Sequence, residues 1–213
     1  MNILSLVNAL PGAAAQGLIW GIMAIGVYLT FRILDVADLT VDGTMCTGGA
    51  VCVMMLMSGH NIWMSMLAAT GAGMLAGLAT GIFHTFMGIP AILAGILTQL
   101  GLYSANLKIM GKANQAVNGN KYNLLVSLRN VKGVPFYQNT ILIVAIFIVV
   151  LIAILYWFFG TELGCSLRST GCNPNMSRAQ GINTNVCKVL GLMISNGLVA
   201  LSSALLAQYQ GFA

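Results

Sequence analysis

Three of the four acidic residues in the chain, Asp35, Asp38 and Asp42, follow one another closely after Arg32. Carboxylates so placed can coordinate a cation, take up a proton, present oxygens to a polar pathway or cap a helix. Two readings of this stretch stay open. In one, a broken helix lines a translocation path through Asp38, Thr40 and Asp42. In the other, the stretch is a loop in which Asp38 or Asp42 caps the next helix while Arg32 neutralises a neighbour. A second set of polar groups, Thr98, Gln99, Ser104 and Asn106, falls in one apolar segment, and Asn196 falls in another. An amide inside a helix bundle either hydrogen-bonds a neighbouring helix or faces water. Interhelical bonding is the first reading for Gln99 and Asn106, path lining the alternative; Asn196 joins the path candidates.

Other chemistries lack their residues. Gly111-Lys112-Ala113 has neither the upstream glycine nor the hydroxyl residue of a phosphate-binding loop. There is no His-Glu-x-x-His, nucleophile elbow or paired carboxylate site, so no catalysis is expected. Cys46, Cys52, Cys165, Cys172 and Cys187 have no metal-ligand spacing and do not make an even disulfide set. His60 reads as an exposed turn residue and His84 as an interface residue with no carboxylate three or four positions away. Neither a metal nor a cofactor is expected. Basic runs interleaved with aromatics are lacking too, which argues against nucleic acid.

The elements that must position these groups are membrane helices. Of 213 residues, 58% are hydrophobic and 6% charged, with a mean hydropathy of +0.89. A soluble domain carries about a quarter charged residues. Apolar segments recur at the roughly 20-residue length that crosses a bilayer, without the alternation of a barrel strand. The expected fold is all-α, one polytopic transmembrane domain over residues 1–213 with about six spans. Their boundaries are near 12–34, 43–57, 62–83, 91–107, 140–159 and 186–207. Gly17 with Gly21, and Gly73 with Gly77 and Gly81, form small-residue stripes where helices should approach closely. The fifth span is almost wholly Ile, Leu, Val and Phe, ends in Tyr156-Trp157 and should face lipid.

Between the last two spans lies a polar segment, 161–185, with unusually clear local signals. Gly171 can end one helix, Asn173 can cap the next, Pro174 suits its first position and Gly181 can stop it. A short helix over 174–180 follows. It has Met176 and Ala179 on one face, and Asn175, Ser177, Arg178 and Gln180 open to water or a partner.

Leu167-Arg168-Ser169-Thr170-Gly171-Cys172-Asn173 and Ser177-Arg178-Ala179-Gln180-Gly181-Ile182-Asn183 resemble the cytoplasmic loop of one family of permease subunits. These belong to ATP-binding-cassette importers of the branched-chain amino acid and ribose type. Ile33-Leu34-Asp35-Val36-Ala37-Asp38-Leu39-Thr40-Val41-Asp42-Gly43 is similar to the family's break after its first core helix. The resemblance implies a coupling helix that docks on a separate ATPase subunit through Leu167, Arg168, Gly171, Asn173, Pro174, Met176, Ser177, Arg178, Ala179, Gly181 and Ile182. It also implies an extracytoplasmic substrate-binding protein, a second permease copy or related partner, and a place in the bacterial plasma membrane among its lipids. The solute would be small, an amino acid or related compound. The competing reading is an ion-coupled carrier or channel that uses the Asp35–Asp42 stretch.

Charge leaves the orientation open. Lys108, Lys112, Lys121, Arg129 and Lys132 lie in the connection 108–138, against Arg32, Arg168, Arg178 and Lys188 on the opposite face. The resemblance places 161–185 in the cytoplasm, hence 108–138 and the N-terminus outside. A cleaved signal peptide is not expected, because Met1 to Gln16 lacks a basic region. The resemblance also leads one to expect further helices after Gln210, so truncation is expected.

Overall fold

A computed structural model of the chain describes residues 3–112, 114–116, 124, 126 and 140–212, with side chains from residue 10. Most of the connection 108–138, including Lys121, Arg129 and Lys132, lies outside the described residues. Among those described, the helices are α1 (Ile3–Tyr28), α2 (Thr40–Met57), α3 (Ile62–Thr85), α4 (Ala91–Met110), α5 (Thr140–Gly160), α6 (Glu162–Cys172), α7 (Pro174–Ala179) and α8 (Thr184–Gln210). Among the described residues, one antiparallel bridge, Ala116 to Phe212, is the nearest thing to a sheet. Among the described residues six helices are long and apolar enough to cross a membrane, and α6 and α7 are not among them.

The predicted span boundaries shift where local chemistry extends a helix. α1 starts well before residue 12, because the apolar residues ahead of Pro11 continue the helix through it. At its far end α1 passes into a π-helical turn, Leu29–Ile33, whose wide ring is closed by Leu34 N donating to Leu29 O at 3.1 Å. Asp35 then takes a positive φ of 56° and reverses the chain, a conformation that Asp tolerates better than most residues. α2 starts at Thr40, so Asp42 sits in its first helical turn. α8 starts at Thr184 because Asn183 accepts from Asn185 N at 3.2 Å and Val186 N at 3.3 Å.

α8 is the axis of the bundle, with 72% of its membrane window buried. Lipid offers helices no hydrophobic drive to associate, so close packing depends on small residues. The Gly73, Gly77 and Gly81 stripe of α3 meets α8 within the subunit. A Cβ on Gly73 would lie 2.5 Å from Asn196 O, one on Gly77 would collide with Leu192 O, and one on Gly81 would press on Val189. The Gly17 and Gly21 pair behaves differently: a Cβ on either would meet nothing within 4 Å outside its own helix turn, so no helix of the described chain uses that approach.

These contacts also fix direction. Gly73 opposite Ala200 and Gly81 opposite Val189 make α3 and α8 antiparallel. Thr44 opposite Asn196 and Cys52 opposite Ala204 make α2 and α8 parallel. Gly95 against Leu39 and Gly43 against Gln99 make α4 parallel to α2. Helices α2, α4 and α8 therefore run away from the end that holds α6 and α7. α4 packs on α2 and α3 at the margin of the bundle, and α5 packs on α1, with only 11% of its window buried. That exposure suits a helix surrounded by lipid.

Candidate functional site

Two places gather the residues whose chemistry the sequence singled out. The first is a platform at one end of the bundle. Thr161 opens α6 by accepting from Gly164 N at 3.4 Å, and Leu167 anchors the helix, fully buried among Leu29, Leu34, Val36, Cys187 and Leu192. Gly171 is placed otherwise than predicted. It lies within α6, which continues to Cys172, and its φ is not positive. It is glycine because its α-carbon rests on the carbonyl of Ile33 in the π-helical turn, where a Cβ would collide.

The predicted start and stop of α7 are found. The Asn173 side chain accepts from Asn175 N and Met176 N, both at 3.1 Å, Pro174 takes the first position, and Gly181 stops the chain with φ 84°. Ser177 corrects the expectation of an open residue. It is buried, its hydroxyl donates to Asn173 O at 3.0 Å, and its carbonyl accepts from Ile182 N at 3.0 Å. Arg178 is exposed but tethered, its Nε donating to Thr184 Oγ1 at 2.8 Å. Arg168 lies along α6 and donates through Nη2 to Phe159 O at 3.0 Å. Met176, at 60% exposure, stands out beside Ala179, Asn175 and Gln180. Of the candidate residues here, Leu167 and Ser177 hold the platform together, Gly171, Pro174 and Ile182 are half-buried, and the rest face outward. The outer face is short, rigid, half apolar and basic.

The second place is a polar ladder with a cleft beside it. Asp38 Oδ1 accepts from Thr40 N at 2.8 Å, and its Oδ2 accepts from Asn196 Nδ2 at 2.7 Å. The second amide hydrogen of Asn196 goes to Leu192 O at 3.0 Å, and its Oδ1 accepts from Thr44 Oγ1 at 2.7 Å. Thr40 and Thr80 share a hydroxyl bond at 2.7 Å, Thr80 donates to Thr98 at 2.9 Å, and Thr98 donates to Ala94 O at 3.0 Å. All these groups except Asp38 are buried. α2, α3, α4 and α8 are thereby tied through satisfied hydrogen bonds, the condition under which buried polar groups are tolerated. Asp38, Thr40 and Asn196 thus sit in the ladder.

Asp42, Gln99 and Asn106 reach the cleft. It has a volume of about 510 Å³ and opens between α2, α4 and α8, walled by Met45, Cys46, Gly49, Leu100, Tyr103, Leu206 and Ala207. Asp42 lies toward the platform, and Lys112, Asn114 and Phe212 lie toward the opposite end. Asn106 is 6% exposed, and neither its Nδ2 nor its Oδ1 has a hydrogen-bond partner among the described residues. Leaving such a group unpaired costs about 1–3 kcal/mol. Sequence reading placed an amide here without showing that it would be orphaned. From sequence Cys46 reads only as one of five cysteines without metal or disulfide spacing, and nothing places it or Ser203 at a cleft, since small polar residues on a helix give no signal of what they face. Among the described residues no three His, Cys, Asp or Glu side chains gather as a metal site requires.

The family model described as the permease component of the branched-chain amino acid transport system matches residues 10–213. A tyrosine transport system permease protein of Clostridioides difficile is 41% identical over 92% of this chain and 63% of its own length. The fructose import permease protein FruF of Bifidobacterium longum is 29% identical over 78% of the chain and 46% of its own length. The autoinducer 2 import system permease protein LsrC of Salmonella typhimurium is 25% identical over 90% of the chain and 53% of its own length. The chain therefore spans between about half and two thirds of the length of these relatives. No solved structure gives a significant match.

Proposed function

Because the chain belongs to the family of branched-chain amino acid transport system permease components, we propose that it forms the membrane passage of an ATP-driven importer for a small solute, an amino acid or related compound. The observation that carries the coupling is α7, a capped helix with an exposed Met176 that is locked to the bundle on both sides. Gly171 rests on the π-helical turn of α1, and Arg178 holds the first residue of α8. A push on α7 therefore reaches α1 and α8 as a rigid movement rather than a local bend. The ATPase is a separate subunit seated on α6 and α7, and the chain itself is no enzyme. That end of the bundle is cytoplasmic, the 108–138 connection meets an extracytoplasmic binding protein, and a second permease copy completes the passage in the plasma membrane.

A polar path needs groups that are not already committed. On that ground Asp42, Gln99 and Asn106 line the path, while Asp38, Thr40 and Asn196 hold its wall. The relative from Clostridioides difficile carries tyrosine transport in its name, which favours an amino acid over a sugar for this chain. An ion-coupled carrier would have to rely on Asp42 alone, because Asp38 is held by two hydrogen bonds and Asp35 turns the chain.

The test is co-purification of the permease, in nanodiscs, with the ATPase of its own transporter. Met176→Asp alters an exposed side chain that supports nothing in the fold, and it should weaken the complex by about tenfold or more. An unchanged complex would remove α7 from the interface. Arg178→Glu should weaken it too, but also releases Thr184, so Met176→Asp is the cleaner variant.

A further inference from the structure

We infer that the middle of the cleft between α2, α4 and α8 binds the head group of an α-amino acid, with the Asn106 carboxamide as its polar anchor. The inference rests on the solute class proposed above and names the site that would recognise it. A carboxamide offers a donor and an acceptor on neighbouring atoms, and both are unused here. An α-amino acid offers the complement, an ammonium and a carboxylate on one carbon.

The charges at the cleft's ends bound what can sit between them. Gln99 stands beside Gly43, one residue from Asp42, and Lys112 lies thirteen residues further along the chain of α4. At 1.5 Å per residue the backbones of the two are about 20 Å apart, which sets Asp42 and Lys112 at opposite ends of the cleft. The stretch between them holds no ionised side chain among the described residues. A net charge there would lack a partner at a prohibitive cost, whereas a zwitterion is neutral overall and can satisfy both ends of one amide. Sugar fits less well, because a ring of hydroxyls needs many partners. Beside Asn106 the middle of the cleft offers, among the described residues, only Gln99, Tyr103 and Ser203, and the Ser203 hydroxyl already donates to Met45 O. The apolar walls, Met45, Leu100 and Leu206, suit an apolar or aromatic amino-acid side chain instead.

Cys46 gives the site its own reporter. It is exposed, it lines the cleft, and the α2–α4 register puts it about one helical turn from the level of Asn106. Alkylation of Cys46 is followed by mass spectrometry in the full permease–ATPase complex in nanodiscs, with exposed Cys165 and Cys172 as internal references. L-tyrosine or L-leucine should slow alkylation of Cys46 by about tenfold at saturation and leave the references unchanged. Tyramine, 3-(4-hydroxyphenyl)propionate and D-fructose should not. Asn106→Leu should abolish the protection while the complex still purifies intact. The inference is overturned if neither amino acid protects, if the singly charged analogues or fructose protect equally, or if Asn106→Leu keeps the protection. It is overturned as well if Cys46 is unreactive without solute, since protein would then fill the cleft. Loss of the ATPase complex by Met176→Asp is read separately, so failure at the cleft and failure of the coupling assignment are distinguishable.

Discussion

The two sides of α8 solve the same problem in opposite ways. Near its start, α8 touches α3 through glycines, and where it meets the start of α2 both amide hydrogens of Asn196 and its oxygen are paired. Toward α4 the helices stand apart, a cleft opens, and Asn106 has none. Both sides use an asparagine in an apolar helix, and only the surroundings differ. On the function proposed above, a bundle that moves a solute needs one seam that does not give and one that is incompletely paired. The contrast assigns the first role to the packing of α8 on α3 and on the start of α2, and the second to the cleft between α2, α4 and α8.

The largest way to break that contrast is Gly77→Leu. A side chain there has no room against the Leu192 carbonyl, and the protein should lose more than about 4 kcal/mol or fail to accumulate folded. Unfolding in mixed micelles measures this, and a folded variant of ordinary stability would mean the seam is loose. Asn196→Leu should cost about 2 kcal/mol in the same assay, because Asp38 and Thr44 lose their partner inside the bundle. Asn106→Leu, the same exchange across the cleft, should change stability by less than about 0.5 kcal/mol or raise it, since it removes an unpaired amide. Equal losses from the two asparagine variants would show that Asn106 has a structural partner, and the difference between the seams would vanish.

Much of this architecture was legible in the residue order. The six spans follow from runs of apolar residues at bilayer length, and α7 follows from Asn173, Pro174 and Gly181, whose roles depend only on their immediate neighbours. What could not be read depended on residues far along the chain. Glycine serves equally for a positive φ and for close approach, so Gly171 looked like a helix stop when its contact is Ile33, more than a hundred positions earlier. Gly17 with Gly21 and Gly73 with Gly77 have the same spacing, yet only the second pair meets a helix. Ser177 turns inward because its hydroxyl finds the Asn173 carbonyl one helical turn back, which composition does not reveal. The even choice between path and cap for the Asp35–Asp42 stretch divides residue by residue: Asp35 turns the chain, Asp38 joins the ladder and Asp42 faces the cleft.

The bond between Asp38 and Asn196 also sets an order in time. Its two ends are 158 residues apart, and ribosomes add about 5–20 residues each second. The carboxylate at the start of α2 therefore waits about ten to thirty seconds for its amide, through the insertion of four further helices. During that interval it must be held by water, headgroups or the insertion machinery, and α8 reaches it only after α2, α3, α4 and α5 have been made.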